Sequence, residues 1–144
     1  MQNKEIDGAV DSILKETARL GITVEFGDAS TLPAEAYYIS SARQIYVCEQ
    51  AKEEQLFSLA HELGHAVDFI RSGLLDVFLD ILLFPFPKMK YLYNERRAWE
   101  FGEGWIPEQM RTAYRVAAEE GLTLCKQTSL AAIRKSCVLS KKHS

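Results

Sequence analysis

The chain is poor in the residues that build special-purpose scaffolds. Its three cysteines, at 48, 125 and 137 of 144 residues, are too few and too far apart for a disulfide framework or a zinc ribbon. An odd number cannot all pair within one chain, so free thiols in a reducing cytosol are the expectation. With only four prolines and eight glycines, the sequence is neither collagen-like nor low in complexity. No charge sign dominates: 17 Lys+Arg against 20 Asp+Glu leave −3. Nothing in that balance calls for nucleic acid as a partner. Residues 1–7 lack the apolar core of a secretory signal, which again points to the cytoplasm. The most apolar run, residues 73–87, reads GLLDVFLDILLFPFP. It is too short to span a bilayer and carries Asp76 and Asp80, so no membrane role is expected.

The chain is 47% hydrophobic and 26% charged, as ordinary globular domains are. Its length suits one domain over residues 1–144. The apolar stretch at about 73–93 reads as an insert, and the tail at about 139–144 as frayed.

Hydrophobic spacing predicts the elements. Ile6, Val10, Ile13, Leu14 and Thr17 recur at helical intervals over 4–20, and Gly21 sits where a helix C-terminus takes glycine. Residues 22–26, ITVEF, read as a strand. Residues 36–39 and 44–48 follow as a hairpin across Ser40-Ser41-Ala42-Arg43. A helix is expected over 52–70, with Leu56, Leu59, Leu63, Val67 and Ile70 on its packed side. Pro85 and Pro87 break the chain. Further helices are expected from about Asn94 to before Gly104, from Pro107 to Gly121 along Met110, Ala113, Tyr114 and Ala117, and over 129–137. A helix, three strands and then helices define an α+β domain.

The chemistry is concentrated in His61-Glu62-Leu63-Gly64-His65, an HExxH on the predicted 52–70 helix. Histidines at i and i+4 stack one turn apart, so both imidazoles can reach one ion. Zinc takes such nitrogens at about 2.0–2.1 Å and acidifies a water molecule. The intervening Glu62 points to the side and can take that water's proton. Asp68 shares the histidine face, but three successive turns of a straight helix do not converge on one point. It suits a supporting or solvated role.

A catalytic zinc needs a third protein ligand. His143 lies in the tail, which leaves carboxylates. Glu95 shares a helix face with Ala98, Trp99 and Gly102, and the small Ala98 and Gly102 would let that helix approach the HExxH helix closely. Glu95 is the first candidate and Glu100 the second.

The stretch Leu56-Phe57-Ser58-Leu59-Ala60-His61-Glu62-Leu63-Gly64-His65 resembles the "fTlaHElGH" signature of the ImmA/IrrE zinc metallopeptidases. That family carries a later E-x-E-A-N-x-F-A helix. Here the matching piece reads Glu95-Arg96-Arg97-Ala98-Trp99-Glu100-Phe101-Gly102, in which Glu95, Ala98 and Phe101 agree. Arg97, Trp99 and Gly102 depart from the pattern, and the first two adjoin Glu95, which points to a different substrate preference. The resemblance covers about residues 4–105 and is closest at 56–65. It implies a zincin-like fold and one zinc on His61, His65 and Glu95, with Glu62 as general base. The implied activity is that of an intracellular protease of narrow specificity. Helix-turn-helix transcriptional repressors are among that family's targets, so the implied partner is a protein or peptide substrate, with a transcriptional regulator as one case. No stretch reads as an appended helix-turn-helix domain.

Other residues carry weaker signals. Tyr91 and Tyr93, just before Glu95, are candidates to stabilise an oxyanion, although core or interface packing is the commoner role of such aromatics. The strand 44–47 is a candidate to accept a peptide as an added strand. Cys48 reads as a small buried side chain. The run 74–86 is expected to be buried; a lid, a substrate wall and an oligomer surface are its other readings. Two other functions fit the same sequence: a non-catalytic protein-binding module on this scaffold, and a zinc hydrolase of small amides.

Overall fold

The computed structural model describes residues 2–28 and 36–128. The elements are α1 (Gln2–Arg19), β1 (Thr23–Gly27), β2 (Ala36–Ile39), β3 (Gln44–Cys48), α2 (Lys52–Leu82), α3 (Pro87–Gly102) and α4 (Arg111–Gln127). Two short 3-10 turns, Glu103–Trp105 and Glu108–Met110, link α3 to α4. The expected α+β class holds, with its N-terminal helix, three-stranded sheet and later helices. The expected helix over 129–137 and the tail over 139–144 lie outside the described residues.

α1 ends as its sequence predicts. Gly21 has φ +70, and the amides of Gly21 and Ile22 bond back to the carbonyls of Ala18 and Thr17. Ile6, Ile13 and Thr17 are its buried positions. The strand order is β1-β3-β2, with β1 parallel and β2 antiparallel to β3. β3 is therefore paired on both sides, which removes residues 44–47 as a place for an added peptide strand. Ile45 and Val47 of β3 pack into the core beside Leu56, Leu59 and Leu63 of α2. Cys48 is buried, as expected.

α2 is longer than its sequence suggests. It runs on past Ile70 to Leu82 through a bend at Gly73, whose φ of 32° and ψ of −109° lie where glycine alone is at ease. Leu56, Leu59, Leu63 and Val67 are buried, but Ile70 is half exposed, because the helix is already leaving the core. Beyond Gly73 the expected burial of the apolar run fails. Leu74 is 89% exposed and Phe84 83%. The run stands out from the body as one arm of a helical hairpin, with α3 as the other. α3 starts at Pro87, not Asn94: proline suits the first helical turn, so it opens this helix instead of only closing the last. α4 runs through Gly121, which was expected to end it. A Cβ there would lie 3.0 Å from the Trp99 ring, so this glycine makes room for the indole.

α2 and α3 cross almost in backbone contact. A Cβ on Gly64 would fall 2.0 Å from the carbonyl oxygen of Ala98. A Cβ on Gly102 would fall 2.6 Å from that of Ala60 and 2.4 Å from the Tyr114 hydroxyl. This close crossing sets the position of the site. Among the described residues no helix is long and apolar enough to cross a membrane.

Candidate metal centre

The α2–α3 crossing brings one turn of each helix face to face. Nε2 of His61 lies 3.0 Å from Oε2 of Glu95, and Nε2 of His65 lies 3.0 Å from Oε1 of the same carboxylate. The three side chains offer ligand atoms all within 4.8 Å of one another. A tetrahedral ion with bonds of about 2.0–2.1 Å holds its ligands about 3.3–3.4 Å apart. The group thus fits a metal ion with little movement, and two imidazoles plus a carboxylate are a donor set that suits zinc. Glu100, the second candidate for third ligand, is exposed on α3 and not part of the group.

The face that carries the histidines is covered by α3. His61 and Glu62 are buried, and the His65 side chain keeps 23% of its exposure. Burial alone would disfavour a charged imidazole at His65. The Glu95 hydrogen bond, with the charges of Glu95, Glu62 and Asp68, outweighs it and pushes the pKa up to about 9. Burial also works against charge on Glu95, but the hydrogen bonds and charges of His61 and His65 hold its carboxyl well below the usual range. At Glu62 burial wins and raises the carboxyl above its ordinary value, against the nearby histidines and a hydrogen bond donated by the Tyr38 backbone N–H. Burial thus makes the Glu62 carboxylate a stronger proton acceptor than an exposed one.

Three surrounding contacts were not legible in the motif. The Trp99 indole lies against the His61 imidazole with ring centroids 4.2 Å apart. Nδ1 of His61 is buried with no hydrogen-bond partner among the described residues, and the stacked indole lies where a metal-binding histidine commonly has an acceptor behind it. Trp99 is held in turn by Tyr114, whose ring packs edge-on against it and whose hydroxyl donates to the Trp99 carbonyl at 2.8 Å. Asp68 is buried and accepts from Arg97 Nε at 2.7 Å and Ser72 Oγ at 2.8 Å. That pair ties α2 to α3 one turn beyond the ligands, which is the supporting role expected of Asp68. Arg97 also lies over the rings of Tyr93 and Phe101. The Tyr38 amide on Glu62 comes from β2, and no pattern in residues 36–39 announces it.

The Tyr91 hydroxyl lies 3.6 Å from Sγ of Cys125 on α4, and Tyr93 is under the Arg97 guanidinium. Comparison with models of protein families, with curated proteins and with solved structures finds no match to this chain.

Proposed function

We propose that this chain is a zincin-like zinc metallopeptidase. The observation that carries the reading is the convergence of two imidazole nitrogens on the Glu95 carboxylate with the Glu62 carboxyl buried beside them. His61, His65 and Glu95 would hold the ion. Zinc there would supply an acidified water and a polarised carbonyl. Glu62 takes the proton of the attacking water on its carboxylate and delivers it to the leaving amine nitrogen. Asp68 and Arg97 keep α3, and so Glu95, in place.

β2 is the strand that meets α2 at Glu62, and among the described residues it is the edge strand, paired with β3 alone. An extended peptide beside β2 would bring its carbonyl to the site, which favours a peptide over a small amide as substrate. The reading extends to an intracellular protein target such as a helix-turn-helix repressor, on the strength of the sequence resemblance.

The test is elemental analysis of the full chain and of Glu95→Ala and Glu100→Ala. One zinc per chain, lost with Glu95→Ala and kept with Glu100→Ala, is expected. Glu62→Gln should keep its zinc and lose about 10²–10⁴-fold in cleavage of a mixed peptide library read by mass spectrometry. Full cleavage by Glu62→Gln would remove the general-base role. A wild type that takes up no zinc would favour the binding-module reading, to which the exposed apolar arm of α2 already lends weight.

A further inference from the structure

Residues 69–89 carry far more exposed apolar surface than a free-standing chain tolerates. Eleven large apolar side chains in this stretch are at least half exposed. On the α2 arm beyond Gly73, at about 100° per residue, Leu74, Leu75, Val77, Phe78, Ile81 and Leu82 form one continuous exposed face about 160° wide. An apolar helical stripe of that width ordinarily packs against another element. The ridge amounts to roughly 1,000 Å² of apolar surface, against about 300–600 Å² for the largest patch of an ordinary monomer. A stable protein interface takes about 800 Å² from each partner.

We propose that a second copy of this chain covers the ridge, the two α2–α3 hairpins packing across a two-fold axis as a four-helix bundle. Area is the first argument, since each copy brings what a stable dimer needs. Shape is the second. A helical arm with one wide apolar face is buried by the same face of a second arm laid against it, as in a helix bundle. A helix lying in a membrane surface carries Lys and Arg on its polar face, and residues 74–82 include neither. Charge is the third. Asp80 stands beside the ridge, 3.5 Å from Lys90 of α3, a pair that a protein interface accommodates and an acyl layer disfavours. The chain's own C-terminal segment is too small a cover: residues 129–144 include only Leu130, Ile133, Val138 and Leu139 as large apolar residues. This inference is independent of the peptidase reading.

Sedimentation velocity of the full chain at micromolar concentration tests it. The wild type should sediment with the mass of two chains. The double variant Phe78→Glu, Ile81→Glu should weaken dimerisation by more than about a hundredfold and sediment as one chain. Its helical circular dichroism should be unchanged, because both side chains stand outside the core. Phe84→Ser, in the turn between the arms, is a second variant that should weaken the dimer in the same direction without adding charge. A wild type that sediments as one chain overturns the proposal. If that monomer also floats with phosphatidylglycerol vesicles, the ridge is a membrane contact instead. A dimer untouched by either variant overturns it as well. Zinc content should be the same in all three proteins, so a failed dimer and a failed metal site are told apart.

Discussion

The indole of Trp99 lies 4.2 Å from the imidazole of His61, centroid to centroid, with 33° between the ring planes. The orientation of His61 is thereby set by a stacked ring on α3, while its Nδ1 has no hydrogen-bond partner among the described residues. The metal group and the helix–helix contact are one construction: the side chain that follows Glu95 by one turn also braces the first histidine.

Loss of that brace should show as loss of metal. Trp99→Leu is expected to weaken zinc binding about 10–100-fold, the usual scale for a residue that orients a ligand. Competition against a fluorescent chelator measures it. Zinc affinity equal to that of the wild type would show that His61 is oriented by something else.

The crossing at Gly64 predicts a large response to one methyl group. Gly64→Ala would put its Cβ 2.0 Å from the Ala98 carbonyl oxygen. Overpacking of this kind costs about 1–3 kcal/mol or more, and here backbone is the obstacle, so the upper end applies. Gly8→Ala is the contrast: nothing lies within 4 Å in α1, and helix propensity predicts a gain of about 0.5–1 kcal/mol. Urea denaturation of the two variants should move in opposite directions.

The Asp68–Arg97 pair predicts a milder loss. Asp68 is buried and its partner partly exposed. Arg97→Met leaves a buried carboxylate with Ser72 alone as a donor among its described hydrogen bonds, a loss of about 1–3 kcal/mol. Thermal melts should show it. Asp68→Asn in the Arg97→Met background should then restore part of the stability, since the carboxylate charge is gone.

Acidity should govern both the metal-free fold and metal uptake. His65 is raised from 6.5 to about 9, so its contribution is full below pH 6.5 and lost as pH rises through 9. Glu95 is lowered from 4.5, so its contribution is present above pH 4.5 and lost as pH falls further. This pair therefore stabilises the metal-free chain most between pH 4.5 and 6.5. Zinc needs a neutral imidazole, so uptake at pH 7 must displace the His65 proton. Zinc affinity should rise about tenfold per pH unit from 7 toward 9. Melting the chain with zinc and with chelator across that range should show a widening gap.

How far the sequence went depends on how local each signal was. His61, Glu62 and His65 were legible because their spacing is itself the geometry. Glu95 was legible because Ala98 and Gly102, small and on its face, marked the side that meets another helix. Gly64 carried the matching signal within the motif, a glycine where a helix gains nothing from one. The parallel pairing of β1 with β3 joins residues 21 positions apart at Thr23 and Gln44, and no short pattern records it. Over 74–82 the apolar residues form one wide helical face with the two aspartates off it, the pattern of a packed helix, so burial is the natural expectation; that face is instead exposed. Gly121 reads as a helix end only while Trp99 is out of view.

The contact between Gly64 and Ala98 has one more consequence. The gap between the histidine-bearing turn and the Glu95-bearing turn is set by main-chain atoms touching main-chain atoms. No side chain acts as the spacer. The core around α2 can therefore exchange one apolar residue for another of different bulk without changing the distance between the three ligands. Changes of bulk in that core should cost stability before they disturb the ligand spacing, whereas a side chain at either of the two glycines where the helices touch disturbs it directly.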